Sequence, residues 1–234
     1  MKTSVEEIDP KRCVLCGSAE KLSGEHKVKA SIFKLENGSG AAYFLGKGDC
    51  FRPKIAQSLK SKEYHFDSKI CATCNSDRTQ NADRAFHNLH VHMRKIYDAG
   101  KPLTDSSYRP NYRVSLDEER DIFRYFAKLL CCYIADSGGP RLTRIASYAM
   151  GMSNLNPINL KISSDGFSDI IKMGEVEFAF QGGGRTVTQI QKTHNLKGIQ
   201  YHFSFSLGIF ESAELDCFYP EIVDRALSEM KSIE

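Results

Sequence analysis

Apolar and polar positions along this chain change period several times, and each change predicts an element. From Cys74 to about Asp98 no Gly or Pro interrupts the chain, and Ala82, Phe86, Leu89 and Met93 recur at helical spacing. An amphipathic helix is predicted there, ended by Gly100 and Pro102. Ser115-Leu116-Asp117-Glu118 has the form of a capping box. The apolar positions that follow it, Ile122, Phe123, Phe126, Leu129, Leu130 and Ile134, predict a strongly buried second helix, stopped by Gly138-Gly139-Pro140. A short helix is predicted over 141–150. After Asn156-Pro157 the period falls to two: Val176, Phe178 and Phe180 alternate with more polar neighbours, as do Tyr201, Phe203 and Phe205. These are half-buried strands, with a third over Thr186–Gln191 after a glycine turn at 182–184 and a closing helix from about Pro220.

The region before Cys74 is less periodic. SGEHKVKASIF reads as a loop entering a strand, and Ala41–Leu45 as a strand between glycine-rich turns. Residues 101–114 are rich in turn formers and read as a linker. The expected organisation is therefore a module over 1–100, that linker, and an α+β accessory region over 115–234 made of a helical segment and a small antiparallel sheet. No internal repeat is present, and the glycines at 182–184 lack Walker-A or dinucleotide spacing.

Charge divides along the same line. Residues 1–100 hold 17 Lys and Arg against 12 Asp and Glu, and residues 101–234 hold 15 against 17. Within 27–69 nine basic residues face four acidic ones, an excess that favours a polyanion. Arg52, Lys54, Lys60 and Lys62 are the candidate phosphate contacts; the bland alternative is a solvated surface. No apolar run is long enough for a signal-peptide core or a membrane span, and the chain reads as cytoplasmic.

Eight cysteines in a reducing compartment do not predict a disulfide framework. Cys13, Cys16, Cys71 and Cys74 form two CxxC pairs, the four thiolates of a closed tetrahedral zinc site. The 54 residues between Cys16 and Cys71 exceed the span of a simple zinc ribbon, so another structure is inserted between the knuckles. Cys131 and Cys132 lie in the apolar helix and read as core thiols.

The insert carries Glu25-His26, and Asn75 follows the last ligand cysteine. The arrangement CVLCG…SGEHKVKAS…ICATCNSDRTQNADRAF resembles the zinc-stapled HNH (ββα-metal) endonucleases over residues 13 to about 90. The resemblance implies a β-hairpin followed by a helix around one catalytic metal. Glu25 and Asn75 would hold that ion, Mg²⁺ or Mn²⁺, and His26 would be the base that activates water. A carboxylate and an amide oxygen suit such hard cations, and an imidazole can accept a proton near neutral pH. The family's middle Asn has no counterpart, since no Asn lies between 38 and 74; His65 and Asp67 are the available substitutes. The Pro often found after the acidic-His pair is also absent.

Asp83, His87, His90 and Arg94 form a polar stripe on the predicted helix, read as support for the site or as a seam. Asp83 with Arg84 resembles an Asp-Arg pair of similar HNH sequences. The expected function is a metal-dependent endonuclease acting on DNA, with RNA kept open. The alternative is a non-catalytic zinc module that binds nucleic acid, and residues 115–234 are left for a protein partner or a second copy. A hydrolase acting through the four-cysteine zinc is disfavoured, because four thiolates leave no open coordination position.

Overall fold

The structure, a computed structural model, describes residues 5–38, 43–46, 54–56, 58–103, 112, 114–164, 171–173, 176–180 and 186–231. Cys50, Arg52, the glycines at 182–184 and most of the expected linker lie outside them. The fold is mixed α+β.

In chain order the strands are β1 (Val5–Glu6), β2 (Leu22–His26), β3 (Tyr43–Gly46), β4 (Lys54–Ala56), β5 (His65–Cys71), β6 (Arg141–Leu142), β7 (Ile158–Ser164), β8 (Ile171–Met173), β9 (Glu177–Phe180), β10 (Val187–Leu196) and β11 (Ile199–Ser206). The helices are α1 (Ala30–Asn37), α2 (Gln80–Asp98), α3 (Leu116–Asp136), α4 (Thr143–Ala149), α5 (Ile209–Phe218) and α6 (Pro220–Lys231).

A seven-stranded sheet runs β4-β3-β8-β10-β11-β7, with β9 also on β10. It is larger than the small antiparallel sheet expected and is mixed, because β3 pairs with β8 in parallel. β3 and β4 are therefore hydrogen-bonded into the same sheet as the strands of the second half. Two two-stranded ladders accompany it, β1 with β6 and β2 with β5.

α3 lies at the centre. Ser115 caps it by accepting a hydrogen bond from the Glu118 amide, a contact that stabilises a helix by about 1 kcal/mol. Its residues from Ile122 to Ile134 are almost all buried, and it packs against α2, α4, β5, β7 and β11. Phe86 of α2 stacks on Tyr125, with ring centroids 4.0 Å apart and planes 8° from parallel. Phe126 faces Phe203 of β11 at 4.9 Å. The core thus continues from the N-terminal elements into the large sheet.

Two local expectations are corrected. The strand expected after Glu25-His26 comes earlier, at Leu22–His26, and the following residues form α1. Ile32 and Phe33 are buried there, adjacent positions that a strand would point to opposite faces. The helix expected from Cys74 begins instead with a π-helical turn over Thr73–Arg78, in which the Thr79 amide reaches the Cys74 carbonyl five residues back at 3.1 Å. Such widened turns concentrate at functional sites.

Candidate functional site

The two CxxC pairs converge. The sulfurs of Cys13, Cys16, Cys71 and Cys74 lie within 4.8 Å of one another and could hold a metal such as zinc. Cys16 Sγ and Cys71 Sγ are 3.6 Å apart, close to the roughly 3.8 Å edge of a tetrahedron with zinc–sulfur bonds of about 2.3 Å. The first pair sits in a turn in which Gly17, at a φ of 75°, lets its amide return to the Cys13 carbonyl at 2.8 Å. The second pair spans the end of β5 and the π-helical turn. A hydrogen bond from the Cys74 thiol is the largest influence on Cys13 and holds its thiol below the ordinary range. Cys131 and Cys132 are buried in α3, and burial pushes both thiols above their ordinary range.

Beside this cluster, β2 and β5 form an antiparallel ladder; they are not a hairpin, because α1, β3 and β4 lie between them in the chain. Leu22 pairs with Cys71, Ser23 with Ile70 and Gly24 with Lys69; the next pair is His26 with His65. The ladder therefore slips at Glu25, which stands opposite Phe66, Asp67 and Ser68. The Asp67 and Ser68 amides donate to the Asp136 carboxylate of α3 at 3.1 and 2.8 Å. A bulge of this kind bends the strand and re-aims the side chains beside it.

Glu25, re-aimed in this way, meets Lys128. The Lys128 Nζ lies 2.8 Å from Glu25 Oε1 and 2.5 Å from Asp83 Oδ1 of α2. The Lys128 side chain is wholly buried, whereas those of Glu25 and Asp83 keep 12 % and 21 % of their exposure. Burial opposes the ammonium's charge, but the two carboxylates outweigh it and hold its pKa above the ordinary lysine value. Burial pushes the Glu25 carboxyl upward, with Lys128 opposing and Asp83 reinforcing the shift. Lys29, just before α1, donates to the Asp83 carbonyl at 2.8 Å, and burial holds its pKa below the usual lysine range.

His26 is half-buried at the end of β2. Its ring lies 4.1 Å from that of His65, tilted by 46°. Burial, then the neighbouring His65, then Lys128 lower its pKa, so the imidazole is neutral near pH 7. His65 Nδ1 is 3.1 Å from the Ser61 carbonyl; a carbonyl only accepts, so that nitrogen carries the proton.

Asn75, on the π-helical turn, donates through Nδ2 to Ser23 Oγ at 3.3 Å, and Ser23 donates to the Ile70 carbonyl at 3.1 Å. It ties the start of the helical region to the ladder rather than meeting Glu25. Asp67 points to solvent, where it pairs with Lys62 at 3.8 Å, and so does not support the site. His65 does lie in it. Of the basic candidates, Lys54, Lys60 and Lys62 are exposed.

The remaining polar stripe of α2 forms an internal seam. His87 Nδ1 meets Ser31 Oγ at 3.1 Å. His90 joins Glu36 of α1 at 2.6 Å to Tyr201 of β11 at 2.8 Å. Arg94 reaches the same Glu36 at 2.7 Å and the Leu196 carbonyl at 2.9 Å. Burial holds His90 neutral, so its Nε2 donates to Glu36 and its Nδ1 accepts from Tyr201.

Lys128 is the site residue that sequence reasoning passed over. The available signal was a lone charge amid Phe126, Leu129, Leu130, Cys131 and Cys132, since a lysine on a buried helix face is rarely found without a partner.

Compared with known proteins, the chain matches no described family, no curated protein and no solved structure. Among the described residues no helix is long and apolar enough to cross a membrane.

Proposed function

We propose that this chain is an endonuclease of HNH type, hydrolysing phosphodiester bonds in nucleic acid, with DNA the first substrate to test and RNA beside it. The observation that carries the reading is His26: a neutral, half-buried imidazole on a bulged two-stranded ladder, beside the Glu25–Asp83 carboxylates, with the second strand running through a four-cysteine cluster into the following helix. His26 takes a proton from water as the oxygen attacks phosphorus; the bond to the leaving oxygen breaks, and that oxygen takes up a proton from solvent while His26 later returns its own to solvent. Arg84, exposed on α2 beside the cluster, supplies positive charge to the phosphate. Zinc in the four-cysteine knot is structural, since its four thiolates close the coordination shell.

The Mg²⁺ or Mn²⁺ ion expected at Glu25 and Asn75 does not fit this arrangement. Glu25 Oε1 is held by the Lys128 ammonium, and Asn75 is turned to Ser23.

The same ion pair favours a second reading, a zinc-stapled module that binds nucleic acid without cutting it, because a carboxylate locked to a buried lysine also describes a purely structural contact. In either reading Lys54, Lys60 and Lys62, with Arg52 outside the described residues, are the proposed backbone contacts. Exposed Ile209 and Phe210 are candidate partner contacts within 115–234.

Incubating the zinc-loaded chain with supercoiled plasmid and with single-stranded RNA, with and without added Mg²⁺ or Mn²⁺, decides between the readings. Cleavage by the wild type and none by His26→Ala, at equal binding, supports the nuclease. Binding without cleavage by either protein supports the second reading. Equal cleavage by both removes His26 from the chemistry.

A further inference from the structure

Glu25 and Asp83 reach the same point from different elements, β2 and α2, and a cation is already there. Lys128 arrives from α3, 103 positions along the chain from Glu25, and its Nζ touches one oxygen of each carboxylate, at 2.8 and 2.5 Å. The lysine is wholly buried, and its Nζ lies 5.5 Å from the centre of the Tyr125 ring, whose face also favours a cation. Lys29 is also near, its Nζ 2.8 Å from the Asp83 backbone carbonyl and within electrostatic reach of both carboxylates. Two carboxylates are thus matched by two ammonium groups.

A divalent ion binds carboxylate oxygens by net negative charge and by short contacts, at about 2.0–2.1 Å for Mg²⁺. An ion placed about 2.1 Å from the oxygens that Lys128 now holds would lie no more than about 5 Å from a fixed positive charge in a site largely closed to water, where like charges are weakly screened. It would also find the pair already neutralised.

We infer that the Lys128 ammonium is the resident cation of the Glu25–Asp83 pair and excludes a divalent metal from it. The inference deepens the nuclease reading of this cluster and rests on that reading for the site's role. It makes residues 115–234 part of the site, because they supply the charge that orients Glu25 beside His26. Lys128 is a positioning residue: its nitrogen is sealed from solvent and acts through the two carboxylates.

Mn²⁺ is the probe, titrated into the zinc-loaded full chain while free Mn²⁺ is followed by electron paramagnetic resonance. The wild type and Glu25→Gln are expected to bind Mn²⁺ alike, with no site that depends on Glu25. Lys128→Ala, which opens the space and uncovers both carboxylates, is expected to gain one site at least about tenfold tighter than anything in the wild type. Lys128→Ala combined with Glu25→Gln should lose it again. A stoichiometric Mn²⁺ site in the wild type that Glu25→Gln removes overturns the inference, as does a folded Lys128→Ala protein that gains nothing. Should Lys128→Ala not fold, the wild type and Glu25→Gln decide alone. Cleavage is not read in this experiment. An absence of nuclease activity would therefore count against the proposed function only, and Mn²⁺ on wild-type Glu25 against this inference only.

Discussion

His26 and His65 face each other across the β2–β5 ladder with their rings 4.1 Å apart. Two imidazoles at this distance resist carrying charge together, and burial of His26 acts in the same direction. The folded-state pKa of His26 therefore lies below its unfolded value of about 6.5. The neutral form contributes stability above that unfolded value, and the contribution is lost as pH falls through the lowered folded pKa. Cleavage should follow the same proton. The acid limb of the kcat/KM profile is expected to have its midpoint below about 6.5, and His65→Ala should move that midpoint upward. A midpoint that stays put or falls in His65→Ala would show that His65 does not set the basicity of His26.

One zinc ion per chain is expected on Cys13, Cys16, Cys71 and Cys74, the only group of metal-ligating type found among the described residues. Elemental analysis of protein purified in metal-free buffer measures it. Structural zinc can contribute on the order of 10 kcal/mol to folding, so Cys71→Ser should lose both the metal and the cooperative unfolding transition. Unchanged zinc content in that variant would reject the assignment.

Replacing Lys128 with Met at neutral pH leaves Glu25 and Asp83 facing each other without their cation. Breaking a buried pair by removing one partner costs about 3–5 kcal/mol, and this loss should appear as a lower urea midpoint with an unchanged m-value. The deficit is expected to shrink as pH falls, because protonating the raised Glu25 carboxyl relieves the repulsion. Adding Glu25→Gln to Lys128→Met should restore part of the stability. A surface-like change of under about 0.5 kcal/mol would mean that the ion pair is not formed in solution.

Lys60 and Lys62 are exposed, and the Lys62–Asp67 pair at 3.8 Å is open to solvent on both sides, so it restrains the lysine little. Both ammonium groups remain available to phosphates. Replacing the two with Ala should weaken binding to unrelated duplexes alike and lower the slope of log K against log salt by about 1 for each phosphate no longer neutralised. An unchanged slope in fluorescence-anisotropy titrations would place the nucleic-acid path elsewhere.

The sequence by itself determined what depends on near neighbours. Helical spacing of Ala82, Phe86, Leu89 and Met93 located α2, the Ser115 cap located the start of α3, and the two CxxC pairs announced the cysteine knot that the structure assembles. Glu25, His26 and Asn75 stood out through their positions around those pairs, and Asp83 through its place on α2. Tertiary structure decided how these residues meet. It turned Asn75 to Ser23, Asp67 to solvent and His90 into a buried link with Glu36 and Tyr201. It also slipped the β2–β5 ladder at Glu25 and joined β3 and β4 to the sheet of the second half. Above all it brought Lys128 to Glu25 and Asp83. Periodicity reports which side of an element is buried, because that follows from 3.6-residue and two-residue repeats along one stretch of chain. It carries no record of which distant charge compensates a buried one, since that choice is made by three elements packing together, where desolvation makes an unpaired ion intolerable.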